Sequence, residues 1–225
     1  MSRQGFGFAI GLFVLCGSAL ADDYTTIYPS ANDPNHAQLL ASALGGSFSA
    51  SGLNYSNGSI DAIRKRDNGP MMNTDQIWAA GTYKASLVYN TDDGRSKSFG
   101  FISGIGGGTY ESLLSTSSIG SMASVTTDED FRWAIKLNGG KVLSSRNSSN
   151  QGTDMMVSYD LYNHAGRLIG AMLLFDDKIS APEKDYADVA VLLTLAPTPQ
   201  AASLGILGLG GVSVLAGRRR RESVA

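Results

Sequence analysis

The sequence predicts a mainly β protein, an antiparallel β-sandwich or jelly roll with one short helix on its N-terminal side. Two observations lead to this fold class. Apolar and polar residues alternate with a period of two in several segments between residues 82 and 195, as in strands with one buried face. Stretches rich in Gly, Asn and Asp separate these segments and are typical of turns. We expect about seven or eight strands, the number found in many two-sheet folds.

The helix is predicted to precede the strands. Asp33 is a residue type that caps helices, and Pro34 suits the first helical position. Gly45 follows the last apolar position and indicates the helix end. Leu40 and Leu44 are four residues apart, so they share one face.

A first hairpin is predicted from residues 82–90 and 95–103, because "TDDG" at residues 91–94 is a hairpin turn signal. Phe99 and Phe101 alternate with smaller residues in its second strand. The two strands are therefore expected to pair with each other.

Three later segments also have the pattern of strands. Residues 131–137 alternate large apolar side chains with Arg, Ala and Lys. Residues 155–163 and 167–176 are predicted to form a second hairpin around the turn "NHAG". Residues 186–195 are apolar on both faces, which favours a central strand. The Ser- and Asn-rich residues 138–154 are expected to be a loop beyond a short strand.

The N-terminus, residues 1–21, has the composition of a secretory signal peptide. A basic residue precedes an apolar run at residues 6–15, and Ala19 and Ala21 give a small-x-small cleavage signal for signal peptidase. Cys16, the only cysteine in the chain, would leave with this peptide. An exported body without a disulfide must be held together by its core or by a bound metal.

The C-terminal tail, residues 197–225, has a proline spacer (Pro197 and Pro199), an uncharged run and a basic end. The uncharged residues 201–217 would reach about 25 Å as a helix, just short of a comfortable membrane span. Four arginines follow: Arg218, Arg219, Arg220 and Arg221. Basic residues stay on the cytoplasmic side, so a transient membrane helix would leave the body facing outward. An ordinary buried C-terminal helix is the alternative.

Residues 22–196 are left as one β-rich extracellular domain. Of the 18 basic and 20 acidic residues of the chain, 13 and 19 lie in this domain, so its net charge is −6. This acidic balance disfavours nucleic acid as a partner and is compatible with divalent cations.

Carboxylate side chains are the best candidates for ligands of a metal ion. Asp176 and Asp177 precede an irregular loop, and Asp185 and Asp188 follow it. Calcium takes six to eight oxygen ligands, so these four predict a calcium site, with a solvated acidic surface loop as the alternative. Asp185 and Asp188 can both contribute only if the loop persists to about Ala187, because in a strand they would point to opposite faces.

No catalytic residue is predicted, and we expect the protein not to be an enzyme. The sequence has no G-x-S-x-G motif, and its two histidines are His36 and His164. His36 is expected to serve local packing or capping, and His164 to lie exposed in a turn. Trp78 and Trp133 are the candidate platforms for a sugar ring, but both are expected in the core. This weakens the interpretation as a paired-carboxylate glycosidase. The glycine-rich residues 103–112 lack the Lys-Ser/Thr of a P-loop and are expected to be a loop.

The tail resembles the PEP-CTERM sorting signal, in which a short proline motif precedes an apolar helix and an arginine-rich end. The resemblance covers residues 197–221, with Pro-Thr-Pro in place of the glutamate-containing motif. The body resembles secreted proteins that carry this signal, through "GSI-A-R" at residues 58–64, "DQ-W" at residues 75–78 and the acidic residues 175–193.

The resemblance implies brief retention in the inner membrane, cleavage near residues 197–200 by an exosortase-like transpeptidase, and delivery to the cell surface or extracellular matrix. It carries no assigned activity. We therefore expect a structural or adhesive role within an exopolysaccharide matrix. A carbohydrate-binding module is the alternative, and exposed aromatic residues in a row on one sheet face would favour it. A glycoside-active enzyme is a third interpretation.

Overall fold

The computed structural model describes residues 23–70, 73–91, 97–178 and 183–195. The predicted signal peptide, with Ala19 and Ala21, lies outside the described residues, and so does the sorting tail with its prolines and arginines. Within the described ranges, no helix has the length and apolarity needed to cross a bilayer.

The described residues form one α-helix, twelve β-strands and short connections, so the mainly β prediction is confirmed. The elements are α1 (His36–Leu44), β1 (Ser49–Ser51), β2 (Asn54–Ser56), β3 (Ile60–Arg64), β4 (Gly81–Asn90), β5 (Lys97–Ser103), β6 (Tyr110–Ser115), β7 (Met122–Thr127), β8 (Phe131–Leu137), β9 (Val142–Ser144), β10 (Met156–Asn163), β11 (Leu168–Phe175) and β12 (Val189–Leu195).

The strands form two antiparallel sheets that pack face to face. The larger sheet has the order β1-β2-β3-β10-β11-β12-β4-β7, and the smaller has the order β6-β5-β8-β9. Their shared core is aromatic: Phe99 of β5 and Phe175 of β11 have ring centroids 6.2 Å apart across the interface. Trp78 and Trp133 both belong to this core, as the sequence predicts. Each fully buried side chain of this kind contributes about 1.5–3 kcal/mol to folding.

The helix forms a third layer on the opposite face of the larger sheet. Leu39 and Leu40 are fully buried there and pack in one cluster with Val157, Tyr159 and Leu174 of β10 and β11. The central strands of the larger sheet are therefore covered on both faces.

The predicted N-cap is wrong, although the predicted helix end is right. The cap is Asn35 and not Asp33: the Asn35 side chain accepts a hydrogen bond from Gln38 N, and the Gln38 side chain accepts one from Asn35 N. This reciprocal capping box places the start of the helix after Pro34, because it satisfies two backbone N–H groups at once. Gly45 ends the helix at φ 77°, a conformation that favours glycine.

The later strand predictions are confirmed. The strand predicted over residues 131–137 is β8, and β10 pairs with β11 as a hairpin. The last strand, β12, lies between β11 and β4 in the interior of the larger sheet. Residues 138–154 contain the short strand β9 and a 3₁₀ helix, Asn147–Asn150. The loop predicted over residues 103–112 ends earlier, because β6 begins at Tyr110.

The first predicted hairpin is wrong in its pairing. β4 pairs with β12 and β7 in the larger sheet, whereas β5 pairs with β6 and β8 in the smaller one. The connecting residues 92–96 lie outside the described residues. Alternation predicts a strand and its buried face but not its partner, and here the buried faces of β4 and β5 meet across the core.

Candidate functional site

The four predicted ligand aspartates are buried. Asp176, Asp177, Asp185 and Asp188 are 0%, 3%, 4% and 7% exposed, so a solvated surface loop does not describe them. The irregular segment persists to Asp188, because β12 begins at the next residue. The predicted condition for both Asp185 and Asp188 to contribute is therefore met, although the four carboxylates do not gather at one point.

Three of the four aspartates form what we call the inner cluster: Asp176, Asp177 and Asp188. One carboxylate oxygen from each lies within 4.8 Å of the others. Lys97 enters this cluster from β5, with its Nζ 2.7 Å from Asp177 Oδ2 and both side chains fully buried. Asp177 follows β11 of the larger sheet, so this ion pair joins the two sheets.

The other two carboxylates of the inner cluster are occupied by hydrogen bonds that shape the loop. Both oxygens of Asp176 and both oxygens of Asp188 accept a hydrogen bond. The donors are Lys178 N to Asp176 Oδ1 at 2.9 Å, Lys184 N to Asp176 Oδ2 at 2.8 Å, Asp177 N to Asp188 Oδ2 at 2.9 Å and Thr91 Oγ1 to Asp188 Oδ1 at 3.2 Å. These bonds join residues 176–178 to residues 184 and 188, and they join Asp188 to the end of β4.

The inner cluster does not favour a metal ion. Lys97 already supplies Asp177 with the positive charge that calcium would supply, at a fully buried position. Burial raises the pKa of Asp188 to about 6, and the Asp177 carboxylate also raises it, against the backbone hydrogen bond and Lys97. Burial likewise raises the pKa of Asp176. The buried lysine in particular lowers the negative charge available to a cation here.

Asp185 belongs instead to what we call the outer cluster: Asp33, Glu183 and Asp185. One carboxylate oxygen from each lies within 4.8 Å of the others. Asp33 precedes α1, while the other two lie in the segment before β12. Asp185 Oδ1 accepts a hydrogen bond from Ala187 N at 3.1 Å, but Oδ2 is buried without a hydrogen-bond partner among the described residues. Burial raises the pKa of Asp185, and the Asp33 and Glu183 carboxylates raise it as well.

The sequence reasoning missed Asp33 and Glu183 as partners of Asp185. Asp33 was assigned to helix capping, which Asn35 performs instead, so its carboxylate is left to face the outer cluster. Asp33 and Asp185 are far apart in the sequence, so no sequence pattern indicates that they lie close together in the fold.

His36 connects the helix to the same segment. Its Nδ1 lies 2.8 Å from Tyr159 Oη, and its Nε2 lies 2.7 Å from the Asp185 carbonyl oxygen. A carbonyl can only accept, so Nε2 carries the proton and Nδ1 accepts from the tyrosine. Burial lowers the pKa of His36 to about 4, so the ring is neutral at pH 7. The predicted packing role is confirmed, and His164 is exposed in its turn as predicted.

A second buried charge network lies beneath the N-terminal segment. Arg64 Nη2 at the end of β3 lies 2.5 Å from Asp67 Oδ2, with both side chains buried. Asp67 Oδ2 also accepts from Thr25 N at 2.7 Å, and Asp154 Oδ2 accepts from Thr25 Oγ1 at 2.6 Å. The network thus fastens the N-terminal segment to the larger sheet.

Two acids of this network are shifted toward their protonated forms. Burial raises the pKa of Asp154 to about 7, with a further contribution from the Asp67 carboxylate. Burial also raises the pKa of Asp75 well above its usual range, with Asp67 and Asp154 adding to the shift. Sequence reasoning assigned no role to Arg64 and Asp75, although both lie in the "GSI-A-R" and "DQ-W" segments that carry the family resemblance.

A surface hollow of about 430 Å³ lies beside this network. Its lining includes Tyr24, Thr25, Tyr55, Arg64 and Tyr159. The Tyr55 and Tyr159 rings meet edge to face, with centroids 5.5 Å apart. The hollow is therefore aromatic and polar, with a buried guanidinium group in its wall.

No protein-family model matches the chain, and no curated protein matches its sequence. Function is therefore inferred from the geometry of the clusters and the hollow.

Proposed function

We propose that the protein is an exported, non-catalytic structural domain of the cell surface or extracellular matrix, delivered by an exosortase-like sorting system. The observation that carries this proposal is the buried Lys97–Asp177 ion pair between the two sheets. Residues 22–196 contain no cysteine, so this ion pair provides a connection between the sheets that a disulfide does not. Removing one partner of such a pair destabilises a protein by about 3–5 kcal/mol.

The other buried polar groups support the same role, because they join elements of the fold. His36 joins α1 to β10 and to the segment before β12, through both of its ring nitrogens. Arg64 and Asp67 join β3 to the N-terminal segment. A general base needs a free ring nitrogen within reach of a substrate, and both nitrogens of His36 are engaged in the protein interior.

The sorting part of the proposal rests on the sequence. Signal peptidase would cleave after Ala21, the apolar residues 201–217 would hold the chain in the membrane, and the transpeptidase would cut near residues 197–200. Mass spectrometry of protein recovered from the surface or matrix tests this directly. We expect a chain that begins at Asp22 and lacks residues 201–225. Recovery of protein that retains its arginine tail would overturn the sorting proposal.

The structural role is tested in the producing cells. Deletion of the protein is expected to weaken cohesion of the exopolysaccharide matrix, and the wild-type chain is expected to restore it. A chain with Arg218, Arg219, Arg220 and Arg221 replaced by alanine serves as the control, because its folded domain is unchanged. Restoration by this variant to the wild-type level would contradict delivery through the tail.

Carbohydrate binding is a second candidate, and the hollow lined by Tyr24, Tyr55 and Tyr159 favours it. A row of exposed aromatic residues on a sheet face would favour it further, but Tyr28 is the single exposed large aromatic residue among those described. Binding to the matrix polysaccharide, measured by calorimetry, should fall at least about tenfold in Tyr24→Ala or Tyr55→Ala if the hollow binds sugar. Tyr28→Ala, next to the hollow, is the matched control, and equal affinity in all variants would exclude the hollow.

A further inference from the structure

We propose that Asp33, Glu183 and Asp185 form a divalent-cation site, with calcium as its ion, that joins the residues before α1 to the segment before β12. The site differs from the one predicted from sequence, because it keeps Asp185 alone of the four aspartates. It goes beyond the proposed function and does not depend on it.

The separation of the three carboxylates fits a single calcium ion. Calcium binds oxygen at about 2.3–2.6 Å, so two ligands on opposite sides of the ion lie about 4.6–5.2 Å apart. One oxygen from each of Asp33, Glu183 and Asp185 lies within 4.8 Å of the other two. One ion can therefore contact all three carboxylates with little movement of the protein.

The buried oxygen of Asp185 is an independent indication of a ligand. Asp185 is 4% exposed, and its Oδ2 has neither solvent contact nor a hydrogen-bond partner among the described residues. An unpaired oxygen on a buried carboxylate that belongs to a cluster of three is unfavourable, and a cation bound to the cluster would remove this penalty.

The neighbouring lysines do not place a cation beside the Asp185 carboxylate. Lys178 pairs with Glu183 at the surface, where both side chains are 39% and 44% exposed. Lys184 lines a different hollow, together with Thr25 and Asp154. No ion pair links either lysine to Asp185 within the described part of the chain. Among the described residues, the outer cluster therefore has a lysine only at the exposed Glu183, whereas Lys97 pairs with the inner cluster at a fully buried position.

The protein holds Asp185 in place before any ion arrives. The Asp185 carbonyl oxygen accepts a hydrogen bond from His36 Nε2, and Oδ1 accepts one from Ala187 N. The preceding carbonyl, of Lys184, accepts a hydrogen bond from Tyr28 N at 2.9 Å. A ligand fixed in this way loses little freedom when it binds a metal.

The remaining ligands would be water, because Glu183 is exposed and Asp33 is half-buried. Calcium accepts six to eight ligands in a flexible arrangement, whereas magnesium requires a near-ideal octahedron. Three carboxylates from two separate segments, completed by water, suit calcium better. We therefore expect calcium to bind more tightly than magnesium.

Calcium titration of the full chain, purified in a mild detergent and stripped with chelator, tests the site. Calorimetry should give a saturable heat with one ion per chain, and the melting temperature should rise with calcium concentration, because the ion binds the folded state. Asp33→Asn and Glu183→Gln should each weaken binding by about tenfold or more. Asp33 is half-buried and does not cap the helix, which Asn35 does, so its variant should fold as the wild type does.

Glu129→Gln is the matched control, since Glu129 is an exposed carboxylate on the connection between β7 and β8. Its calcium affinity should equal that of the wild type. Absence of a saturable heat up to millimolar calcium would overturn the proposal, and so would equal affinity in Asp33→Asn and wild type. Either failure leaves the mass-spectrometric test of export and sorting unaffected, so the two proposals fail separately.

Discussion

The inner and outer clusters both draw carboxylates from residues 176–178 and 183–188, but they differ in what balances their negative charge. The inner cluster receives Lys97 from the opposite sheet, at 2.7 Å from Asp177. The outer cluster receives Asp33 from the residues before the helix, which adds charge of the same sign. The inner cluster therefore has a buried lysine as its partner, whereas the outer cluster has Lys178 at the exposed Glu183 only.

This difference shows that a run of acidic residues does not define a metal site by its composition. Both clusters hold three carboxylates within 4.8 Å of one another. What separates them is a residue that the fold brings from elsewhere, a lysine in one case and an aspartate in the other. The three acids of the inner cluster are all buried, so their interaction with Lys97 is little screened by solvent, whereas in the outer cluster only Asp185 is buried.

The largest expected effect comes from breaking the inner cluster. Lys97→Met leaves Asp177 buried without its ammonium partner. We expect the free energy of unfolding to fall by about 3–5 kcal/mol, measured by urea denaturation. Lys178→Met, at an exposed pair, is the control and should cost at most about 1 kcal/mol. Equal losses in the two variants would mean that the buried pair has no special role.

The pH dependence of stability should reveal the buried acid network next to these clusters. The pKa of Asp154 is raised to about 7, whereas an unfolded aspartate has a pKa of about 3.9. Below about pH 4 the group is protonated in both states. As the pH rises to about 7, the unfolded chain releases a proton that the folded chain keeps, so unfolding becomes easier.

The comparison of wild type with Asp154→Asn isolates this effect. The stability of the wild type relative to the variant should fall by about 3–4 kcal/mol between pH 4 and pH 7. His36 acts in the opposite direction between about pH 4 and pH 6.5, because burial lowers its pKa from 6.5 to about 4. Since His36 is present in both proteins, its contribution cancels in the difference. A difference that stays constant with pH would contradict the buried, protonated state of Asp154.

A smaller loss is expected when the link between the helix and the outer cluster is removed. His36→Phe leaves Tyr159 Oη and the Asp185 carbonyl without their partner. The loss of both buried hydrogen bonds should lower the free energy of unfolding by about 1–3 kcal/mol. His164→Phe is the exposed counterpart and should change stability by less than about 0.5 kcal/mol. A chemical denaturation series on both variants checks this contrast.

The smallest effect is expected within the outer cluster in the absence of metal. Asp33→Asn removes one of three like charges, so stability without calcium should stay within about 0.5 kcal/mol of wild type or rise slightly. With calcium present, the wild type should become the more stable of the two. A clear loss of stability without calcium would mean that Asp33 already has a favourable partner.

Alternation predicted the six long core strands, because it reports local burial, and it missed the strands β1, β2, β3, β6 and β7. The strand over residues 131–137 and the β10–β11 hairpin follow directly from it. The pairing partner of β4 could not be predicted in this way. Two strands with matching apolar faces can be neighbours in one sheet or can pack against each other across the core. The helix cap was also misplaced, since Asp33 and Asn35 are both good caps and the reciprocal bond with Gln38 decides between them.

The candidate site was less predictable than the fold. The acidic residues flanking the loop were visible in the sequence, but their division into two clusters depends on Lys97 and Asp33. Those residues lie on other elements, and single-sequence reasoning has no means of bringing them to the loop. The Arg64–Asp67 pair was missed for a related reason, because charged residues are normally exposed and their burial depends on tertiary contacts.

The most direct test of the structural role is a double-mutant cycle between Lys97 and Asp177. The variants Lys97→Met, Asp177→Asn and the double variant would be compared with wild type by urea denaturation at pH 7. If the buried pair holds the two sheets together, the coupling free energy between the residues should be about 2–3 kcal/mol. A coupling free energy near zero would contradict that role, because the two side chains would then act independently.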